Sequence, residues 1–181
     1  MQTARRRQAR VMDLDLLYLD FDGVLHPESV YVNSRQGIHL RDAPGRNLFE
    51  NCQLLIEELA RYPHVKVVLS TSWVRSIGFD RARGRLPLPL QARCIGATYH
   101  SRFHQPGRED GARSLRPAPL RGEEVMADVQ RRRPHKWLAL DDTDEGWPDE
   151  ERNNLILTHP FYGISAPTVR QALHAELGRF G

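Results

Sequence analysis

Three short stretches of the 181-residue sequence concentrate oxygen-bearing side chains of the kind that handle phosphate: Asp20-Phe21-Asp22-Gly23, Ser70-Thr71-Ser72 and Asp141-Asp142. Two carboxylates separated by one residue can divide the work of a nucleophile and a proton carrier. Adjacent aspartates are hard oxygen ligands of the sort magnesium prefers. Hydroxyls and backbone amides at a strand end can donate to anionic oxygens. Such a division of labour requires the three stretches, far apart in sequence, to meet in one volume.

The surrounding sequence supplies elements able to bring them together. Leu14 to Asp20 is a largely apolar run that reads as a buried strand. Val65 to Ser70 reads as a second, Lys136 to Asp141 as a third and Asn154 to Thr158 as a fourth, with a small strand around Arg93 to Gly96. Between the first two, residues 26–46 are polar and alternating, the pattern of a hairpin or flap. Asn47 to Arg61 then places Leu48, Cys52, Leu55, Ile56 and Leu59 on one helical face, stopped by Tyr62 and Pro63. A short helix is expected near Ile77 to Arg83, another from Arg121 or Gly122 onward, and a last one carrying Val169, Leu173 and Leu177, capped by Ser165 with Pro167 in its first turn. Residues 100–120 hold Pro106, Gly107, Gly111, Pro117 and Pro119 and read as a long loop. Strands separated by helices predict an α/β fold, a Rossmann-like three-layer sandwich with a mostly parallel sheet whose carboxyl edge carries the site.

With 40% apolar residues the chain can bury one core, so a single domain is expected over residues 13–181, preceded by a basic arm at 1–12. No apolar run is long enough for a membrane span, and the amino-terminal residues lack a secretory signal. Cys52 and Cys94 form no metal-type pair and suggest a reduced cytoplasm. The net charge is only +3, although 24 of the 26 basic residues are arginine. That skew suits a polyanionic partner and equally suits a GC-rich genome, so charge alone decides little.

The run Leu19-Asp20-Phe21-Asp22-Gly23-Val24-Leu25, the strand-terminal Ser70, a basic residue and Leu138-Ala139-Leu140-Asp141-Asp142 together resemble the haloacid dehalogenase (HAD) superfamily, in order and spacing across nearly the whole chain. More narrowly, Ser72-Trp73, Arg121-Gly122-Glu123-Glu124-Val125 and Gly163-Ile164-Ser165 are similar to the compact phosphatase-like domains associated with RNA-repair proteins. The resemblance implies a magnesium-dependent phosphatase with Asp20 as nucleophile and Asp22 as acid/base. It implies Ser70 as a phosphate donor helped by Thr71 and the turn at Gly23, and metal binding by Asp20, Asp22, Asp141 and Asp142, the last directly or through water. The superfamily's basic residue is usually lysine. Lys136 lies five residues before Asp141 on one strand, about 16 Å from the catalytic edge at about 3.3 Å per residue. Arg121, at the start of the helix leading into that strand, is the better candidate.

Other residues have two readings. Arg75 either reaches substrate phosphate or is solvated; Trp73 packs or stacks on a base; His26 touches substrate or begins the flap; His100 and His104 belong to a surface loop more readily than to a metal pair. The intervals Asp22 to Ser70 and Ser70 to Arg121 are too short for a full cap domain. Within the superfamily the chain resembles, an uncapped site implies access for macromolecular ends or for substrates closed in by a partner, and the leading expectation is a phosphomonoesterase acting on RNA or DNA ends. A nucleotidase or sugar phosphatase using residues 100–120 as its lid is the alternative, and a phosphate- or RNA-binding module without catalysis is another.

Overall fold

The apolar runs pair into one five-stranded parallel sheet in a computed structural model that describes residues 14–33, 37–99 and 119–181. In chain order the strands are β1 (Asp15–Leu19), β2 (Val30–Asn33), β3 (Gly37–Leu40), β4 (Lys66–Leu69), β5 (Cys94–Ala97), β6 (Lys136–Asp141) and β7 (Leu155–Leu157), of which β2 and β3 form a separate antiparallel hairpin. The sheet order is β5-β4-β1-β6-β7, with β1 in the middle. From β1 the chain builds outward through β4 and β5 on one side, then returns to build β6 and β7 on the other. The order therefore reverses between β1 and β6, where an open α/β sheet leaves a crevice at its carboxyl edge.

Helices cover both faces. Leu17 and Leu19 belong to a core shared with Leu55 and Leu59 of α1 (Cys52–Leu59) and Leu173 and Leu177 of α6 (Pro167–Leu177). Leu16 and Tyr18, pointing the opposite way as alternation demands, pack with Val125 of α5 (Arg121–Arg132) and with Trp147. Every residue of β1 is buried, which explains why it reads as a continuous apolar run and not an alternating one.

Several boundaries differ from expectation for local reasons. Helix α1 starts at Cys52, not near Asn47, because Phe49 adopts a left-handed backbone (φ +61°) and Asn51 spends its amide on the carbonyls of Val24 and Tyr162. The weak helical pattern after β4 resolves into two helices, α2 (Ser72–Ile77) and α3 (Phe79–Arg83), separated at Gly78; α4 (Leu88–Gln91) follows. Ser165 does not cap α6. Its hydroxyl donates to the Tyr162 carbonyl at 2.6 Å, and Ala166 takes the cap position ahead of Pro167, whose missing N–H would have been unsatisfied there anyway.

The expected flap is the β2–β3 hairpin, and among the described residues no large cap stands over the sheet edge. The basic arm at 1–12 and nearly all of the 100–120 loop, with His100 and His104, lie outside the described residues. No helix among the described residues is long and apolar enough to cross a membrane, and both cysteines are free thiols.

Candidate active site

Because β4 and β6 flank β1, their carboxyl ends lie side by side. The amide of Asp20 donates to the Leu140 carbonyl at 3.1 Å, and that of Ser70 to the Leu19 carbonyl at 2.8 Å, so the ladder continues one residue past each strand and sets the three tips in register. Oxygen atoms of Asp20, Asp141 and Asp142 lie within 4.8 Å of one another. Asp20 and Asp141 are almost completely buried and Asp142 partly so. Asp20 and Asp141 thus share one rim of the sheet, close enough to hold a single ion.

Gly23 and Thr158 shape this cluster from behind. Gly23 has φ +66°, and a Cβ there would come within 2.2 Å of an Asp142 carboxylate oxygen, so glycine is what allows Asp142 to lean against the turn. The Thr158 hydroxyl donates to the Gly23 carbonyl at 2.6 Å, and the Thr158 amide to the Asp141 carbonyl at 2.8 Å. One residue after β7 thus ties the turn after β1 to the tip of β6. In this arrangement Gly23 makes room for a carboxylate, a service its sequence context did not suggest.

Arg121 provides the cation. One Nη lies 3.5 Å from Asp20 Oδ2, and Nε lies 3.3 Å from Asp141 Oδ2. Its position follows from the first turn of α5. Glu123 reaches back to accept from the Leu120 amide at 2.9 Å, the Gly122 amide donates to the Glu145 carbonyl at 3.0 Å, and a Cβ on Gly122 would meet the Gly146 backbone at 2.4 Å. Only glycine permits that approach. Lys136, by contrast, begins β6 at the far end of the sheet, where its amide donates to Asp15.

Electrostatics mark the cluster as short of positive charge. Burial, and after it the charges of Asp141 and Asp22, push the Asp20 carboxyl well above the usual range against the pull of Arg121. Burial raises Asp141 to about 7, again opposed by Arg121, and raises Asp142 to about 6 with help from the Glu28 charge. Burial also works against the Arg121 charge, but Asp20 and Asp141 outweigh it and the guanidinium is held more firmly protonated. Three close carboxylates facing one guanidinium fit a small divalent cation with oxygen ligands. Asp22, expected among the metal ligands, stands outside this set.

The Asp22 carboxylate is held elsewhere, by two residues for which the sequence suggested other roles. Its Oδ1 accepts from Trp73 Nε1 at 2.8 Å and lies 3.0 Å from His26 Nε2. The Phe49 amide donates to His26 Nδ1 at 3.2 Å, so Nδ1 has no hydrogen and Nε2 must donate to Asp22. His26 is completely buried, edge-on to Phe49, and Phe21, Phe49 and Trp73 close the cluster with T-shaped contacts. The spacing of His26 four residues after Asp22 was a usable signal; nothing local pointed to Trp73, 51 residues away. The left-handed Phe49 backbone aims the amide that fixes the histidine tautomer, a strained residue in service of a site.

Ser70 and Thr71 divide. The Ser70 hydroxyl is buried and has no hydrogen-bond partner among the described residues, an orphan that a ligand oxygen would satisfy. Thr71 is committed to capping α2, its Oγ1 accepting from the Trp73 amide at 3.4 Å. Arg75 has a competing partner: it pairs with buried Glu124 and lies over the Tyr99 ring at 5.4 Å. Glu124 also contributes to the field that holds Arg121 charged.

A parallel sheet with a strand-tip aspartate at its centre, an acidic pair on the next strand and a flap with no large cap defines a haloacid dehalogenase-like domain. The model of one family within that superfamily, the HAD domain in Swiss Army Knife RNA repair proteins, matches residues 16–169, and the chain belongs to that family. Searches of curated proteins and of solved structures find no match.

Proposed function

We propose that this domain is a magnesium-dependent phosphomonoester hydrolase that works through an aspartyl-phosphate on Asp20 and acts on phosphorylated nucleic-acid ends. The observation that carries the reading is the convergence of Asp20, Asp141 and Asp142 within 4.8 Å, beside a buried Ser70 hydroxyl that has no other described partner.

Asp20 attacks phosphorus in line with the leaving oxygen, and the P–O bond to that oxygen breaks as the new one forms. Asp22 delivers a proton to the departing oxygen. Its Oδ1 is occupied by Trp73 and His26, which leaves Oδ2 for the transfer. A water then attacks the acyl phosphate and gives its proton to Asp22, which returns Asp20 as a carboxylate and releases inorganic phosphate. Ser70 and Arg121 donate to the phosphoryl oxygens as charge spreads over them. Asp20, Asp141 and Asp142 would hold magnesium, which would supply the positive charge that lets an anionic nucleophile approach an anionic ester.

The nucleic-acid part of the reading rests on the family and on the absence of a large cap among the described residues. Free thiols at Cys52 and Cys94 suit a reducing cytoplasm. The test is a panel of phosphorylated oligonucleotides, mononucleotides and sugar phosphates assayed with magnesium beside Asp20→Asn. Turnover of oligonucleotide ends, lost by about four orders of magnitude in the variant, is expected. Turnover that survives Asp20→Asn would remove the nucleophile, and faster turnover of every small substrate would remove the nucleic-acid reading. RNA binding retained by Asp20→Asn, with no turnover by the native chain, would instead mark a binding module.

A further inference from the structure

A cleft of about 260 Å³ opens between the flap and α2, and Asp22 forms part of its wall. On the flap side it is lined by Val30 and Ile38. Val30 pairs with Leu40 and Tyr31 with His39, so strand alternation puts Val30 and Ile38 on one face and Tyr31 on the other. Tyr31 is exposed on that outer face, with the Arg41 guanidinium 3.8 Å above its ring. The flap therefore turns an aliphatic surface toward Asp22. On the α2 side the lining is Trp73, Ile77, Ser72 and Ser76, the Ser76 hydroxyl donating to the Ser72 carbonyl at 3.2 Å.

The chemistry of this wall is selective. Among the described lining residues Asp22 is the one ionisable group, so no cation is offered to a second phosphate. A sugar phosphate presents hydroxyls in every direction, and aliphatic walls would leave most of them unpaired. A nucleoside has flat ring faces for Val30, Ile38, Ile77 and Trp73, and a polar edge for Ser72 and for the oxygen of Ser76, which can still accept. The volume is smaller than the roughly 300–1,000 Å³ of pockets that enclose drug-sized ligands, so a single nucleoside enters and the rest of the substrate stays outside.

The cleft also lies where the leaving group must be. A proton carried by Asp22 reaches the oxygen of the breaking P–O bond, and whatever that oxygen is attached to extends past Asp22. We infer that the flap–α2 cleft binds the uncharged terminal nucleoside of the phosphorylated substrate, supplied by a free mononucleotide or by an oligonucleotide end. This inference rests on the phosphohydrolase reading for its placement and on the lining for its chemistry.

Two measurements separate it from that reading. In the first, kcat/KM is compared for a phosphorylated oligonucleotide, the corresponding mononucleotide, glycerol phosphate and glucose 6-phosphate, using the native chain and Ile38→Ala. Nucleoside esters are expected to be preferred, with the preference over glycerol phosphate falling about tenfold in Ile38→Ala, as it does when a binding pocket gives up one aliphatic wall. The two nucleoside arms identify the source, since an end-binding enzyme favours the oligonucleotide and a nucleotidase the monomer. In the second, Trp73 fluorescence of Asp20→Asn is titrated with unphosphorylated adenosine, with Trp73→Phe as the control that removes the signal. Saturable quenching supports the cleft even if no ester is turned over, which would sink only the hydrolase reading. Turnover without preference for nucleoside esters, or a preference unmoved by Ile38→Ala, overturns the assignment, as does the absence of quenching.

Discussion

Two places among the described residues bury aspartate beside arginine, and they are arranged to opposite effect. Asp128, on α5, accepts from the Tyr18 hydroxyl and is paired with Arg131 and, at 2.6 Å, with Arg132. Its one negative charge meets two guanidinium groups and a phenol. At the sheet edge Asp20, Asp141 and Asp142 gather around a single guanidinium, that of Arg121, an excess of two negative charges when all are ionised. A carboxylate saturated by its own protein is architecture; a group of carboxylates left short of counter-charge is prepared for something that arrives from outside. Asp20 and Asp141 are as deeply buried as Asp128, so the balance of charge and not depth distinguishes the two places.

The contrast fails most visibly if matched substitutions behave alike. Asp128→Asn leaves two arginines at a buried position without their anion and is expected to destabilise the fold by about 3–5 kcal/mol in urea titration. Asp20→Asn removes a charge from a crowded site and is expected to raise the metal-free unfolding midpoint. Equal losses in the two variants would show that the edge cluster is merely structural. Next in size is Arg121→Ala, which deletes charged hydrogen bonds of about 1.5–3 kcal/mol; kcat/KM should fall roughly 10- to 100-fold.

A smaller effect links pH to metal. Asp141 and Asp142, raised to about 7 and about 6, bind protons more tightly folded than unfolded. Their contribution to metal-free stability is therefore largest at acid pH and is lost as pH rises from the ordinary carboxylate range, about 4, toward 7. Magnesium competes with those protons, so its increment to the melting temperature should be greater at pH 8 than at pH 5.5, and Asp128→Asn should leave that difference intact. A pH-independent increment would place the ion elsewhere. Smallest is Trp73→Phe, which keeps the aromatic packing but deletes one donor to Asp22. For glycerol phosphate, which has no nucleoside to place in the cleft, a fall of about tenfold in kcat with KM and melting temperature little changed would identify Trp73 as a positioning residue for the acid/base.

Much of the fold and of the site is legible in the sequence because it is local. The apolar runs of β1, β4 and β6 each end in polar residues, and a parallel sheet has to align such endings. The resemblance calls for a basic residue, strand arithmetic sets Lys136 aside and the predicted helix start favours Arg121; the structure puts Arg121 on Asp20 and Asp141 and Lys136 beside Asp15. What escaped depends on contacts between distant segments. Trp73 on Asp22, Glu124 on Arg75 and Thr158 on Gly23 join residues whose sequence neighbours say nothing about each other. Ser165 had the right residue type for a cap and lost the role to a nearer carbonyl. Arg93, an ordinary arginine in sequence, donates to the carbonyls of Leu59, Tyr62 and Val65 and closes the end of α1 onto β4, work that no period reveals.

The seam between Gly122 and Gly146 has a consequence for anyone who would move this chemistry to another scaffold. The start of α5 and the turn after β6 interlock through backbone, with no room for a single methyl, so the guanidinium and the acidic pair travel as one casting. A graft that carried Asp141 and Asp142 without residues 120–124 would arrive with its anions in place and its cation adrift.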